Sequence, residues 1–291
     1  MAADKNRFPS DENGHMQLKN GRGLEDDIGT RFEPAGPDFR IASFVPSITE
    51  LLIDIGLIDQ IVARTHYCIH PIGTVDRIPA IGGTKKININ KLKALAPTHV
   101  ILNIDENTKE MADAIGKFVP HIVVTHPLAP EDNLKLYSLM GRLFGREEMA
   151  AAISAQFCAA YSAVKPAAAQ SLDVLYLIWK DPWMTVSRNT YISTMLQTVG
   201  WHTMHHDPNQ RYPIIEMTTD VIASTDLFLF SSEPYDFGQD DLDSFVTTYE
   251  CPPEKALLIN GEYCSWYGSR AIAGLRYLHR LAREIMPQVR S

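Results

Sequence analysis

The chain has 291 residues, 45% of them hydrophobic and 21% charged, with a formal net charge of -8. That length and apolar content can build two lobes of ordinary size. The acidic balance excludes a nucleic-acid binder, whose affinity rests on basic surface, and no apolar run reaches the roughly 20 residues of a membrane-spanning helix.

In chain order, residues 1–37 mix charges, Gly, Pro and Asn. Such a segment buries too little apolar surface to fold, and it is expected to be a disordered polar tail. It lacks the basic start and apolar run of about 7–15 residues that mark a secretory signal. A cytoplasmic protein is therefore expected, or a periplasmic one if the true start lies elsewhere.

Residues 38–128 read as a first α/β lobe. Ile41–Val45 is a short apolar run, as in a buried parallel strand. Pro46 ends it, and Ser47 with Glu50 has the spacing of a capping box, which predicts a helix stopped by Gly56. Strand patterns follow at Ile61–Arg64, His99–Asn103 and His121–Thr125, with helices predicted over Asn90–Leu95 and Glu106–Phe118.

Residues 129–168 carry no strand signal. Leu134, Leu136, Leu139, Met140, Leu143 and Phe144 recur at helical spacing, and an Ala-rich helical stretch follows Gly145. Residues 169–291 resume the α/β rhythm, with strands at Val174–Trp179, Leu227–Phe230 and Ala256–Ile259, and helices at Thr190–Val199 and Ser269–Met286. The expected fold class is α/β, two Rossmann-like lobes with parallel sheets joined by a long backbone helix. A ligand would sit between the lobes, where strand C-terminal ends meet. The four cysteines, Cys68, Cys158, Cys251 and Cys264, are widely spaced without a CxxC pair, as expected of free thiols.

The order of short motifs from Arg40 to Asn103 resembles the first lobe of the helical-backbone (class III) solute-binding proteins of ABC importers, which bind vitamin B12, ferric siderophores or haem. The motifs are Thr65-His66-Tyr67-Cys68-Ile69-His70-Pro71, Gly82-Gly83-Thr84-Lys85 and Leu95-Ala96-Pro97-Thr98-His99. In the second lobe Leu258–Tyr263 followed by Ser269-Arg270 resembles the family's final strand, ligand loop and last helix. The resemblance implies a non-catalytic receptor that needs no cofactor. It would clamp a metal-bearing small molecule, cobalamin or another corrinoid first, a ferric siderophore or haem second.

Residue by residue, it implies ligand contacts at Tyr67 and at Thr84 and Lys85, where vitamin B12 receptors often carry a tryptophan. Glu262 stands at the acidic position of the last loop, and Trp266 where a basic residue is common. The partner implied is an ABC permease, met through one acidic residue per lobe. These positions fall on Asp220 and on Asn90, the second of them neutral here.

The residues themselves add candidates. Trp179, Trp183, Trp266 and Tyr267 offer flat, low-entropy surface for a tetrapyrrole or chelate, and equally could cover the core. Arg270 and Arg188 could bind carboxylates bidentately, although Arg270 could instead neutralise Glu262. Asp105-Glu106-Asn107 could cap a helix or meet a polar ligand. If extended, His66, Cys68 and His70 share one face, which makes a metal-dependent enzyme or metal chaperone the rival reading. The alternative for that loop is simple packing, with His70 bonded to backbone. His202, His205 and His206 form a second, surface-type cluster. No phosphate loop, nucleophile elbow or HExxH pair is present.

Overall fold

The computed structural model describes residues 24–164, 171–204 and 209–285. Its first elements are β1 (Leu24–Glu25) and β2 (Arg31–Phe32), an antiparallel ribbon. The ribbon docks on β6 (His121–Thr125): Val124 donates its N–H to Asp26 Oδ2 at 3.0 Å, and Asp27 donates to the Val124 carbonyl at 3.0 Å. Regular structure is thus present ahead of the boundary expected near Pro37; residues 1–23 of the expected tail lie outside the described residues. A short polar stretch gains order because it satisfies the open edge of a sheet.

The first sheet is wholly parallel, in the order β4-β3-β5-β6, with β3 at Ile41–Ser43, β4 at Ile61–Arg64 and β5 at His99–Asn103. Helix α1 (Pro46–Asp54) opens with proline at its first position, where a missing N–H costs nothing. The expected Ser47/Glu50 capping box does not form. Val45 is the N-cap, without a side-chain bond, and Glu50 is drawn away to Arg270. Helices α2 (Ile89–Leu95) and α3 (Lys109–Ile115) start where Asn88 and Thr108 accept the N–H of Lys91 and Met111. That cap explains why α3 begins later than Glu106.

Two helices, α4 (Asp132–Leu143) and α5 (Glu147–Ala163), fill the linking segment and turn at Gly145, whose φ is +62°. The second lobe then contributes β7 (Leu172–Trp179), β8 (Met184–Thr185), α6 (Tyr191–Gln197), β9 (Trp201–Thr203), α7 (Thr219–Ser224) and β10 (Leu227–Ser231). It ends with α8 (Gln239–Tyr249), β11 (Ala256–Ile259), α9 (Glu262–Ser265) and α10 (Arg270–Ile285). Its sheet runs β11-β10-β7, parallel, with β9 parallel and β8 antiparallel on the far edge of β7.

Side-chain alternation divides each sheet between two cores. In β7, Leu175 and Leu177 face a core private to the second lobe, with Phe228, Phe230 and Phe245. Val174, Tyr176 and Ile178 face the other way, into one continuous core that also holds Ile41, Ile48 and Leu51 of the first lobe, Tyr137 and Phe157 of the linking helices, and Leu275 and Leu278 of α10. The first lobe has its own outer core around Phe44, Val100 and Leu102. Because one core runs through both lobes, their relative placement is fixed by packing as well as by the chain connection.

The four cysteines are free, three of them buried. Among the described residues no helix is long and apolar enough to cross a membrane.

Candidate functional site at the lobe junction

Both sheets aim their strand C-terminal ends at the junction, so the loops that follow them meet there. Two polar bridges cross it. In the first, Arg270 at the start of α10 binds Glu50 of α1 bidentately, Nε to Oε2 at 2.8 Å and Nη2 to Oε1 at 2.7 Å. The same guanidinium donates Nη1 to Glu262 Oε2 at 2.9 Å, and Glu262 Oε1 lies 3.0 Å from His70 Nε2. In the second bridge, Arg211 contacts both Asp105, in the loop after β5, and His126, just beyond β6. Burial lowers the His126 pKa, so the ring favours its neutral form as a partner for Arg211.

At the same junction lie two carboxyl groups that, among the described residues, no cation pairs. Glu106 follows β5, in a loop held by Asn103 Oδ1, which accepts from the N–H groups of Asp105 and Glu106 at 2.8 and 3.3 Å. Its Oε1 accepts the Tyr267 hydroxyl at 3.2 Å. Glu233 follows β10, and its Oε1 accepts Trp266 Nε1 at 3.0 Å and the Ser265 hydroxyl. Both keep part of their surface open. Burial pushes the Glu106 carboxyl up to about 8, the Tyr267 hydroxyl opposes that rise, and the Glu233 charge adds to it. Burial likewise raises Glu233, with Glu262 adding to the rise and Arg270 opposing it.

Beneath this floor a polar knot ties the linking helix α4 to the second lobe. Asn133, fully buried on α4, donates to the Tyr191 hydroxyl at 3.0 Å and accepts the Gly268 N–H at 2.6 Å. The Gly268 carbonyl accepts the Tyr137 hydroxyl at 2.9 Å. Gly268 has φ +75°, and a Cβ there would stand 3.0 Å from the Ser47 carbonyl of α1. Only glycine lets the two lobes approach so closely at this point.

Of the residues singled out from the sequence, Trp266, Tyr267, Glu262, Arg270 and His70 do come together. Trp266 and Tyr267 are 8% and 6% exposed and serve as scaffold for Glu233 and Glu106. The Trp266 ring lies beneath the Arg270 guanidinium, 5.0 Å from its centroid, with the His70 ring at its edge, 5.3 Å away. The guanidinium is taken up by Glu50 as well as the expected Glu262. Tyr67 is 61% exposed, its ring against Gly83. The Thr84 carbonyl accepts Asn107 Nδ2 at 2.7 Å, and Lys85 is exposed. Trp179, 42% exposed, stands edge-on to Tyr235 at 5.5 Å.

Trp183 belongs to the second lobe's core. It packs among Phe230, Phe237, Phe245 and Tyr249, and its Nε1 donates to the Tyr249 hydroxyl at 2.9 Å. Arg188 donates to the Thr203 carbonyl at 3.1 Å. Asp105 and Asn107 do not cap α3, since Thr108 does so. Asn90 and Asp220 occupy matching places: each is exposed, two residues after the N-cap of a short helix, α2 in one lobe and α7 in the other.

The His66, Cys68 and His70 side chains do not share a face. The Cys68 N–H bonds the Thr65 carbonyl at 3.3 Å, so the loop turns instead of extending. The thiol points inward to Thr49 and Thr65, at 3.1 and 3.2 Å, while His66 is exposed and His70 reaches Glu262. Burial raises the Cys68 pKa, which disfavours the thiolate a metal would need. Among the described residues no three His, Cys, Asp or Glu side chains are grouped to hold a metal ion. His205 and His206 lie outside the described residues.

Glu233, Glu50, Asn133 and Arg211 were not singled out as ligand or junction residues from the sequence, whereas Glu106 was, as part of Asp105-Glu106-Asn107. Tyr212, beside Arg211, is 39% exposed; burial raises its phenol pKa, and the Glu106 charge adds to the rise while Arg211 opposes it. An acid just after a strand, as at Asp105-Glu106 and Ser232-Glu233, was the available signal. A separate groove of about 560 Å3, with Leu242, Val246, Leu257 and Leu258 in its lining, runs between α8 and β11, and none of the junction residues lines it.

No curated protein matches the chain in sequence. Among solved structures, the fold matches the periplasmic vitamin B12 binding protein of Vibrio cholerae, at 15% identity and a TM-score of 0.70, over 85% of this chain and 97% of that one. It also matches a periplasmic heme-binding protein from Roseiflexus sp. RS-1, at 18% identity and a TM-score of 0.70, over 85% and 98%. The periplasmic heme-binding protein of Vibrio cholerae matches at 17% identity and a TM-score of 0.67, over 84% and 98%. A family model described as periplasmic binding protein matches residues 41–242, more than half of the chain, so the chain belongs to the periplasmic binding protein family.

Proposed function

We propose that this solute-binding protein clamps a metal-bearing macrocycle or chelate between its lobes, a corrinoid such as cobalamin first and haem or a ferric siderophore second. The observation that carries this reading is the junction itself. Loops from the C-terminal ends of both sheets converge on it, with the exposed rings of Tyr67 and Tyr212 on opposite lobes and the polar floor of Glu106 and Glu233 between. Structures of the same fold are described as binding vitamin B12 or heme, which supports the ligand class.

The reading includes delivery to an ABC permease. The matching placement of Asn90 and Asp220 at exposed helix starts, one per lobe, supports two-point docking. A single remaining acid makes the charge complementarity weaker on the first lobe.

Titration of the purified protein with cobalamin, haemin and ferric chelates tests the proposal, followed by tryptophan fluorescence and calorimetry. At least one ligand is expected to give saturable quenching with matching heat at one site per chain. Absence of saturable binding across all three classes overturns it.

A further inference from the structure

The junction's charges are divided unevenly. Its guanidinium groups are already engaged: Arg270 by Glu50 and Glu262, Arg211 by Asp105 and His126. Lys85 stays exposed on its loop. Glu106 and Glu233 spend only Oε1 on protein donors. Among the described residues no donor reaches Oε2 of either, and neither atom is sealed away from solvent. When ionised, each group therefore has an acceptor oxygen left unused by protein donors, and the Glu233 charge acts on Glu106.

A second, independent observation points the same way. The Tyr212 ring, 39% exposed, follows Arg211 of the second bridge, and the Tyr67 ring, 61% exposed, lies against Gly83. Aromatic faces attract cations.

We infer that the clamp selects neutral or cationic ligands that bring N–H donors, carboxamide or ammonium, to Oε2 of Glu106 and Glu233, and that it rejects ligands with a carboxylate or catecholate periphery. This rests on the ligand-clamp reading above. An anionic ligand would meet two acceptor carboxyls at the floor, where both bridging guanidinium groups are already paired. A carboxamide or ammonium satisfies both oxygens and relieves the repulsion between them.

The test is a binding panel at pH 8.5 on the wild-type protein. The probes are cobalamin (neutral, carboxamide-rich), a cationic ferric trihydroxamate, haemin and an anionic ferric tricatecholate. One of the first two is expected to bind at least tenfold tighter than either anionic probe. In the variant carrying both Glu106→Gln and Glu233→Gln, the cationic chelate is expected to lose at least tenfold while haemin stays level or improves. Haemin or the tricatecholate binding as tightly as the best neutral or cationic probe overturns the inference and leaves the clamp intact. Failure of all four probes overturns the clamp and the inference with it. Because the wild-type panel decides the matter alone, poor folding of the double variant does not blunt the test.

Discussion

Replacing Glu106 with glutamine should change how stability depends on pH. In the folded protein the Glu106 carboxyl is raised from the ordinary 4.5 to about 8, chiefly by burial. A raised carboxyl contributes its stability below its unfolded value and loses it as pH rises through the folded value. Between pH 5 and 8 the folded state holds a proton that the unfolded state has released, so wild-type stability falls with pH at up to about 1.4 kcal/mol per unit. Over that window the ceiling is about 4 kcal/mol, and the carboxyl's partial access to solvent reduces the working figure to about 2 kcal/mol. Glutamine copies the protonated acid and does not titrate. Urea denaturation of both proteins at pH 5, 6.5 and 8 isolates the effect, because every other group cancels in the difference. Glu106→Gln should gain about 2 kcal/mol on the wild type between the lowest and highest pH. A difference that stays flat across the window would refute the buried, cation-free placement of Glu106.

Gly268→Ala should destabilise the protein by about 2 kcal/mol, since φ is +75° and the new Cβ would press on the Ser47 carbonyl at 3.0 Å; a loss under about 0.5 kcal/mol in urea melts would contradict that approach. Asn133→Leu leaves the buried Gly268 N–H without its acceptor and removes the bond to Tyr191, so a loss of about 3 kcal/mol is expected. A double-mutant cycle with Tyr191→Phe should show coupling, and strict additivity would argue against the knot. Burial, and then the neighbouring His121, depress the His99 pKa from 6.5 to about 4. The neutral ring's contribution is complete above 6.5 and is lost as pH falls toward 4, by up to about 3 kcal/mol, so a His99→Gln variant should fade less steeply over that range.

Parallel strands were the most legible part of the fold. Ile61–Arg64, His99–Asn103, His121–Thr125 and Ala256–Ile259 match to the residue, because each is a short, largely apolar run bounded by polar or turn residues. Helix α8 left little trace, since in Gln-Asp-Asp-Leu-Asp-Ser-Phe-Val-Thr-Thr-Tyr only Leu242 and Phe245 are buried. The β1–β2 ribbon was illegible for a different reason. Its order comes from Asp26 capping an edge nearly a hundred residues away, not from local pattern. The site divides the same way. Glu262, Arg270, Trp266 and Tyr267 stand in a recognisable loop, but their tasks depend on partners far along the chain: Glu50 for Arg270, Glu106 for Tyr267, Glu233 for Trp266. Two of the aromatic residues expected to contact the ligand, Trp266 and Tyr267, hydrogen-bond acids of the junction. Sequence spacing carries no record of which oxygen such a ring will bind.

A clamp built on one shared core has consequences for how it can discriminate. Closing on a ligand by wide lobe rotation would shear the packing of Ile48, Tyr137 and Leu275, which lie in the same apolar cluster. The bridges of Arg270 and Arg211 add polar contacts that such a rotation would break. Charge and hydrogen-bond pattern at the junction are therefore set before a ligand arrives. Preformed acceptors avoid the ordering cost that an adaptive site incurs on binding. The cost appears instead in the unliganded protein, where burial, and at Glu106 also the Glu233 charge, favours the protonated acids. A donor-bearing ligand removes that tension, and its binding should tighten as pH rises through the Glu106 range until both acids are ionised.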